Sequence, residues 1–425
     1  MVRSLLILGP VAGLVAVTAV AGTRRPRELT PVIAASATAA VIDSLPSPAA
    51  PGSAEPSLAV GPDGRVYLSW LEPAAAGHAL RFSVFDGARW TPPQTIVART
   101  DFFVNWADFP ALEVSADNRI TAHWLQRNGS GTYAYGVRLS QSRDGGKTWS
   151  TPLVPHRDSS ATEHGFVAMW SEGTDVGAVW LDGRKYKKPE PGAKREEHDM
   201  GNEMMLMSTT LRAGGALAAE VPLDERTCDC CLNAAVMTSA GPIVAYRNRS
   251  ADEIRDIHVT RRVNGRWTPG KPVHSDNWKI AACPVNGPAL AARGTQVALA
   301  WFTAPGDSGR VNVAFSTDAG ATFGAPVRVD DGTPAGRVDV VLLTNGDALV
   351  TWVERTGGDV AAVRARRVAR NGKAGAAVTI ASSSAARASG FPRAMATGSG
   401  VMFAWTVPGK PSVLRVARAA AADFR

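Results

Sequence analysis

The chain has 425 residues, of which 45% are apolar, 20% charged and 7% aromatic, with only four cysteines. This excludes a disordered chain, a collagen-like repeat and a disulfide-dense miniprotein, and it leaves enough apolar mass for a sizeable core. The net charge of +8 sits partly at Arg3, Arg24, Arg25 and Arg27, and elsewhere the basic residues are scattered or, from Arg184 to Glu197, mixed with acids. No dense basic stripe interleaves with aromatics, so nucleic acid is not an expected partner.

Arg3 precedes an uncharged run from Ser4 to Gly22 that ends in the small-x-small site Ala19-Val20-Ala21. Residues 1–22 therefore read as a signal peptide or, if retained, a membrane anchor, and the protein as exported to the periplasm or beyond, with a membrane tether as the alternative. Residues 23–55, rich in Ala, Pro, Ser and Thr, read as a linker holding one strand at Pro31–Ser36.

From residue 56 onward one pattern returns. A short apolar strand ends in an aromatic at Trp70, Trp124, Trp180, Tyr246, Trp301, Trp352 and Trp405, at intervals of 51 to 66 residues. The longest interval contains the charged insertion. Each copy follows another apolar strand and a tight turn such as Val60-Gly61-Pro62-Asp63-Gly64. Two strands joined in this way form a hairpin. A period near 50 residues without helical periodicity points to an all-β propeller over residues 56–425, whose blades are stable only when stacked.

A second aromatic follows 20 to 25 residues after four of the first, at Trp90, Trp149, Trp267 and Phe323. Two of these close the motif S-x-D-x-G-x-T-[W/F], at Ser142–Trp149 and Ser316–Phe323, and worn copies lie at Ser83–Trp90, Val263–Trp267 and Asn371-Gly372. The Asp caps its own turn and the Gly takes a positive φ. This motif resembles the Asp box (BNR repeat) of the sialidase, or neuraminidase-like, propeller superfamily. The resemblance implies a propeller fold with the Asp boxes on outer turns away from the active site. Seven inner hairpins favour seven blades, with the six of sialidases as the alternative; the strand at Pro31–Ser36 would complete the last blade.

Loops entering the innermost strands of a propeller converge on a funnel. Those loops carry Trp106 and Asp108; Glu163 and His164; Cys228, Cys230, Cys231 and Asn233; Lys279, Cys283 and Asn286; Arg337 and Asp339; and Phe391 and Arg393. The sialidase resemblance implies a glycoside hydrolase of exo-α-sialidase type, with arginines on the substrate carboxylate and a Glu-activated Tyr nucleophile. Arg184, Arg249, Arg337 and Arg393 are available for the first role. For the second, Tyr246 occupies the repeat position, Tyr133 and Tyr135 sit on a middle strand and Tyr186 lies in the insertion, so no nucleophile stands out. In this reading Asp108, Glu163 and His164 supply acid–base chemistry, and Trp106, Arg184, Lys279, Asn286, Arg337 and Arg393 bind a carbohydrate or small anionic ligand, with no cofactor required. His123 and His258 fall on strands, and His78, His156 and His274 are expected at the surface.

Thr227-Cys228-Asp229-Cys230-Cys231 and Ala282-Cys283-Pro284-Val285-Asn286-Gly287 enter adjacent blades. In an exported chain they read as disulfides, with a bridge from Cys230 or Cys231 to Cys283 favoured over a strained vicinal bond. The alternative is a thiolate site for Cu or Zn on Cys228, Cys230, Cys231 and Cys283, with His164 as a further ligand and with His198, Met200, Met204, Met205 and Met207 as soft or borderline groups. The pair of motifs is also similar to those of a group of exported bacterial proteins bearing Asp boxes, which implies fold and compartment only. Three functions stay open: a glycan-recognising or hydrolysing funnel, a periplasmic metal-binding or redox-linked module, and a non-catalytic interaction propeller.

Overall fold

The computed structural model describes residues 40–186 and 203–425. The leader, the strand expected at Pro31–Ser36 and most of the charged insertion lie outside the described residues.

Seven antiparallel sheets follow one another along the chain. In each, the aromatic-bearing segment is the second strand: Val66–Pro73, Ile120–Arg127, Asp175–Asp182, Gly241–Arg247, Gln296–Thr303, Ala348–Gly357 and Gly400–Val407. The first strand of every sheet packs on those of its neighbours, and Ala54–Val60 of the first meets Arg393–Thr397 of the last, which closes the ring. The chain is a seven-bladed β-propeller. Its last blade takes its outer strand from Asp43–Leu45, paired antiparallel with Val413–Ala420. The N-terminal region thus closes the ring, through a segment nearer the first blade than the one expected from sequence.

The core is divided as the ring is. Seven apolar clusters each fill one interface between adjacent blades. The repeat aromatics lie buried in them, from 0% exposed at Trp70 to 7% at Trp405. Four of the indoles find a carboxylate that satisfies the buried N–H, whereas those of Trp124 and Trp405 have no protein partner among the described residues. Trp70 donates to Glu72 at 2.8 Å, Trp180 to Asp182 at 2.8 Å, Trp301 to Asp276 at 2.7 Å and Trp352 to Glu354 at 2.6 Å. Three of those acids stand two residues after their Trp, one turn of the pleat along the same strand face.

The two full S-x-D-x-G-x-T turns have the same hydrogen bonds. Asp144 accepts from the backbone and hydroxyl of Thr148 at 2.9 and 2.6 Å, and Asp318 does so from Thr322 at 2.9 and 2.6 Å. The Ser hydroxyls accept from Gly146 and Gly320 at 2.8 and 2.9 Å. Both glycines have positive φ, 91° and 78°. A Cβ at Gly146 would come within 2.2 Å of Phe82 and one at Gly320 within 2.2 Å of Ile243, each on the preceding blade. The motif therefore shapes a turn and lets it press against the neighbouring sheet. Both turns follow the third strand of their blade, at the end opposite the loops that enter the first strands.

Candidate functional site: the funnel loops

Alternating strand direction sends the loops between blades, and those between second and third strands, to one end of the ring. All the site residues expected from sequence lie on such loops or at the strand ends beside them. They form four groups rather than one cradle.

The cysteines make the first group. The outer strand Val221–Thr227 of blade three runs directly into Cys228, whose N–H donates to the Arg247 carbonyl of blade four at 2.9 Å. Gly287 brings the second motif against this loop, since a Cβ there would sit 1.9 Å from the Leu232 carbonyl oxygen. Cys228 Sγ lies 3.9 Å from Cys230 Sγ and 3.5 Å from Cys231 Sγ, and Cys283 Sγ lies 3.7 Å from Asp229 Oδ1. All four cysteines are free. The expected bridge from Cys230 or Cys231 to Cys283 is not formed in the structure: Cys283 is free, its sulfur within 4.8 Å of the Cys230 sulfur and of an Asp229 oxygen.

Three buried arginines from one short stretch underlie this group. Arg255 donates to Cys228 Sγ at 3.2 Å and to Glu253 at 2.9 Å, and Arg249 donates to Glu253 at 2.9 Å. Arg247 spends its guanidinium on the carbonyls of Asn286, Arg255 and Phe302 and lies over the Trp278 ring at 4.9 Å. Burial pushes the Cys228 thiol up, but contacts from Cys230 and Cys231 and then the Arg255 and Arg247 charges outweigh it, leaving Cys228 well below the usual thiol range. Cys230 and Cys231 are raised, by burial first and then by their neighbours.

The second group joins Asp108, Glu163 and a tyrosine that sequence reading passed over. Tyr135, fully buried and stacked on Phe103 at 3.7 Å, places its hydroxyl 2.8 Å from Asp108 Oδ2 and 2.8 Å from Glu163 Oε1. One hydroxyl proton cannot serve two acceptors, so one carboxyl carries its own. Burial favours Asp108 for that proton, pushing it up to about 7 against the donations of the Tyr135 hydroxyl and the Phe166 N–H. With Asp108 protonated, donation runs from Asp108 to Tyr135 to Glu163; with Asp108 ionised, the Tyr135 hydroxyl donates to it. The signal that could have found Tyr135 is its place at the first residue of a third strand, directly beside the funnel. Burial first, then the negative fields of Glu163, Asp229, Cys283 and Cys230, raise the Tyr186 hydroxyl.

His164 anchors the third group. Its Nε2 is 3.1 Å from Asp158 Oδ1 and 3.5 Å from Asp182 Oδ1, and its ring stacks on His156 at 3.9 Å. His156, expected at the surface, is 7% exposed. Its ring is sandwiched against His164 instead. Arg184 closes this group through Asp182 at 2.7 Å and Glu220 at 2.9 Å.

In the fourth, Arg337 lies over the Trp106 ring at 4.9 Å, and Trp106 stacks on Phe391 at 5.8 Å. The Arg337 guanidinium donates to the carbonyls of Ala385, Ala386 and Gly390 and to the Ser389 hydroxyl. It makes no ion pair with a carboxylate among the described residues, and burial, followed by the Arg355 charge, lowers it to about 10. Asn286 is a brace: its Oδ1 accepts from the Arg337 N–H at 2.7 Å. Arg393 Nε is 3.3 Å from Asp339 Oδ2, and Lys279 is exposed beside Trp278.

No family model matches the chain, and no curated protein matches it. Among solved structures, a Dyadobacter fermentans protein of unknown function is similar at 15% identity over 90% of this chain and 98% of its own, with a TM-score of 0.48. A Hadza microbial sialidase is similar at 15% identity over 71% of this chain (TM-score 0.44), and a Trypanosoma rangeli sialidase at 13% over 80% (TM-score 0.46). This chain spans 63% and 57% of those two chains. The seven-bladed architecture rests on the strand order and not on these likenesses.

Proposed function

We propose that the protein is an exported propeller whose funnel binds a thiophilic metal ion, Cu(I) or Zn(II), through Cys228, Cys230, Cys231 and Cys283. The spacing of the Cys228, Cys230 and Cys231 sulfurs carries this reading. The Cys283 sulfur comes within 4.8 Å of Cys230 and of an Asp229 oxygen, so it would have to swing inward to complete the set. Tetrahedral metal–sulfur bonds of about 2.3 Å place neighbouring sulfurs about 3.8 Å apart, and the Cys228 sulfur has two others at 3.5 and 3.9 Å. Arg255 favours the thiolate at Cys228, the form that ligates. Sialidase-type hydrolysis has less support, because Tyr135 is fully buried and Arg184, Arg249 and Arg393 face carboxylates of the protein itself.

The test is Cu(I) titration of the reduced full-length chain against a chromophoric chelator, with thiol counting before and after. One tightly held equivalent that disappears in the Cys228→Ser/Cys231→Ser double variant is the expected result. Failure to hold copper or zinc against the chelator, or four thiols already paired in the native protein, would overturn the reading.

A second reading has one observation in its favour. Arg337, buried without a carboxylate partner and faced by Trp106, is a cation and a ring surface suited to an anionic carbohydrate. Binding to an acidic glycan array, weakened by Trp106→Ala, would support it, and hydrolysis of a fluorogenic sialoside would extend it to catalysis. No binding across the array removes it.

A further inference from the structure

Cys228-Asp229-Cys230-Cys231 spaces its outer cysteines as C-x-x-C, with Asp229 and Cys230 at the centre of a turn. A tight turn holds its first and fourth Cα atoms within about 7 Å, which overlaps the span of a disulfide. The Cys228 and Cys231 sulfurs are 3.5 Å apart, closer than the 3.9 Å from Cys228 to Cys230. A vicinal bond between Cys230 and Cys231 would be strained. The turn therefore favours one pairing, between its two ends.

The surroundings give these two sulfurs different parts. Arg255, itself 1% exposed, donates to Cys228 Sγ at 3.2 Å, so Cys228 is the sulfur held as the nucleophile. Its backbone is fixed by the bond from its N–H to the Arg247 carbonyl at 2.9 Å. Cys231, in contact with it, stands where a resolving thiol must. Cys228 and Cys231 are buried, whereas Cys230 and Cys283 are partly exposed at the edge of the group. A bulky disulfide therefore meets the edge sulfurs first, and a small neutral oxidant is the kind that reaches the inner pair.

We propose that Cys228 and Cys231 are an oxidation site for hydroperoxides and close into a reversible disulfide. The Cys228 sulfur attacks one oxygen of hydrogen peroxide and the O–O bond breaks. Cys228 becomes a sulfenic acid, and the leaving hydroxide takes up the proton given to solvent when Cys228 ionised. The Cys231 sulfur then attacks Cys228 Sγ, the S–O bond breaks, and the departing hydroxide leaves as water with the Cys231 proton. Two thiols and one peroxide give one disulfide and two waters. The bridge forms without a metal ion. Where the group holds an ion as proposed above, the bridge withdraws two of its sulfurs and oxidation releases the ion; that consequence, unlike the bridge, rests on the metal reading.

The test exposes the reduced, metal-free full-length chain to an equimolar amount of hydrogen peroxide. Remaining thiols are alkylated, the product is reduced, and the thiols so released take a second label that tandem mass spectrometry locates. The expected result is the loss of two of the four thiols, the second label on Cys228 and Cys231, and recovery of all four with a dithiol. In Cys231→Ser, oxidation should stop at a Cys228 sulfenic acid that dimedone traps, with circular dichroism verifying that the variant is folded. Second labels on a pair that includes Cys230 or Cys283, or survival of all four thiols in the native chain, would overturn the proposal. A chain that forms this bridge yet holds no copper when reduced leaves the proposal intact while the metal reading falls, and one that holds copper but forms no bridge does the reverse.

Discussion

Replacing Asp108 with Asn tests the proton count at the centre of the funnel. The amide is close in shape, can still accept from the Phe166 N–H and can donate to Tyr135, but it cannot ionise. In the native chain, burial holds Asp108 protonated up to about 7, whereas an unfolded aspartate titrates near 3.8. Between those values the folded protein binds the extra proton, so this residue's contribution to stability is complete below the lower value and is lost as pH rises through the upper one. At about 1.4 kcal/mol for each tenfold change in proton affinity, the loss across the window is on the order of 4 kcal/mol. Urea unfolding followed by tryptophan fluorescence at a series of pH values from acid to slightly alkaline measures it as the difference between native and Asp108→Asn stabilities. Other titrations are common to both chains and largely cancel in that difference. The native protein should lose its advantage steadily as pH rises, and an infrared band of a protonated carboxyl should be absent from the variant. A flat difference, or one that grows with pH, would mean that Asp108 is ionised and the donation order through Tyr135 is wrong.

Three further outcomes follow from packing and charge. Trp352→Ala removes a fully buried indole and leaves Glu354 without its donor, so urea unfolding should show a loss of about 3–5 kcal/mol; a loss under about 1 kcal/mol would mean that the blade interface is not packed around it. Gly146→Ala should destabilise more than Gly145→Ala, by about 1–3 kcal/mol, because both have positive φ but only Gly146 faces Phe82; equal losses would remove the contact argument. Arg255→Met takes away a positive charge 3.2 Å from Cys228, so the thiolate absorbance of the reduced protein should appear at higher pH than in the native chain. An unchanged profile would show that the arginine does not support the thiolate.

The ring was legible because its physics repeats. An aromatic on the second strand of each blade recurs wherever an interface needs filling, and Trp70, Trp180 and Trp352 even carry their carboxylate partners two residues on. The Asp-bearing turns were legible for the same reason, since Asp144 and Asp318 make the same local bonds. Closure was harder to place: Asp43–Leu45 is three residues long and pairs with a strand at the far end of the sequence, so no local pattern marks it. The site was legible as a set of loops but not as a set of partners. Sequence brought Cys228 and Cys283 to neighbouring blades, yet whether sulfurs bond or merely converge depends on distances of an ångström or two. Tyr135 looked like a strand residue because it is one; only the fold brings Asp108 and Glu163, each 27 or 28 positions away, to its hydroxyl. Likewise Arg184 and Arg393 appear as free cations in the sequence, and only the structure supplies Asp182, Glu220 and Asp339.

X-ray absorption at the copper edge on the Cu(I)-loaded, reduced full-length protein bears most directly on the thiolate centre. A first shell made only of sulfur, from the cysteines of both motifs and changed by Cys283→Ser as well as by Cys231→Ser, is the expected result. A shell of nitrogen and oxygen, or one indifferent to every cysteine substitution, would contradict it.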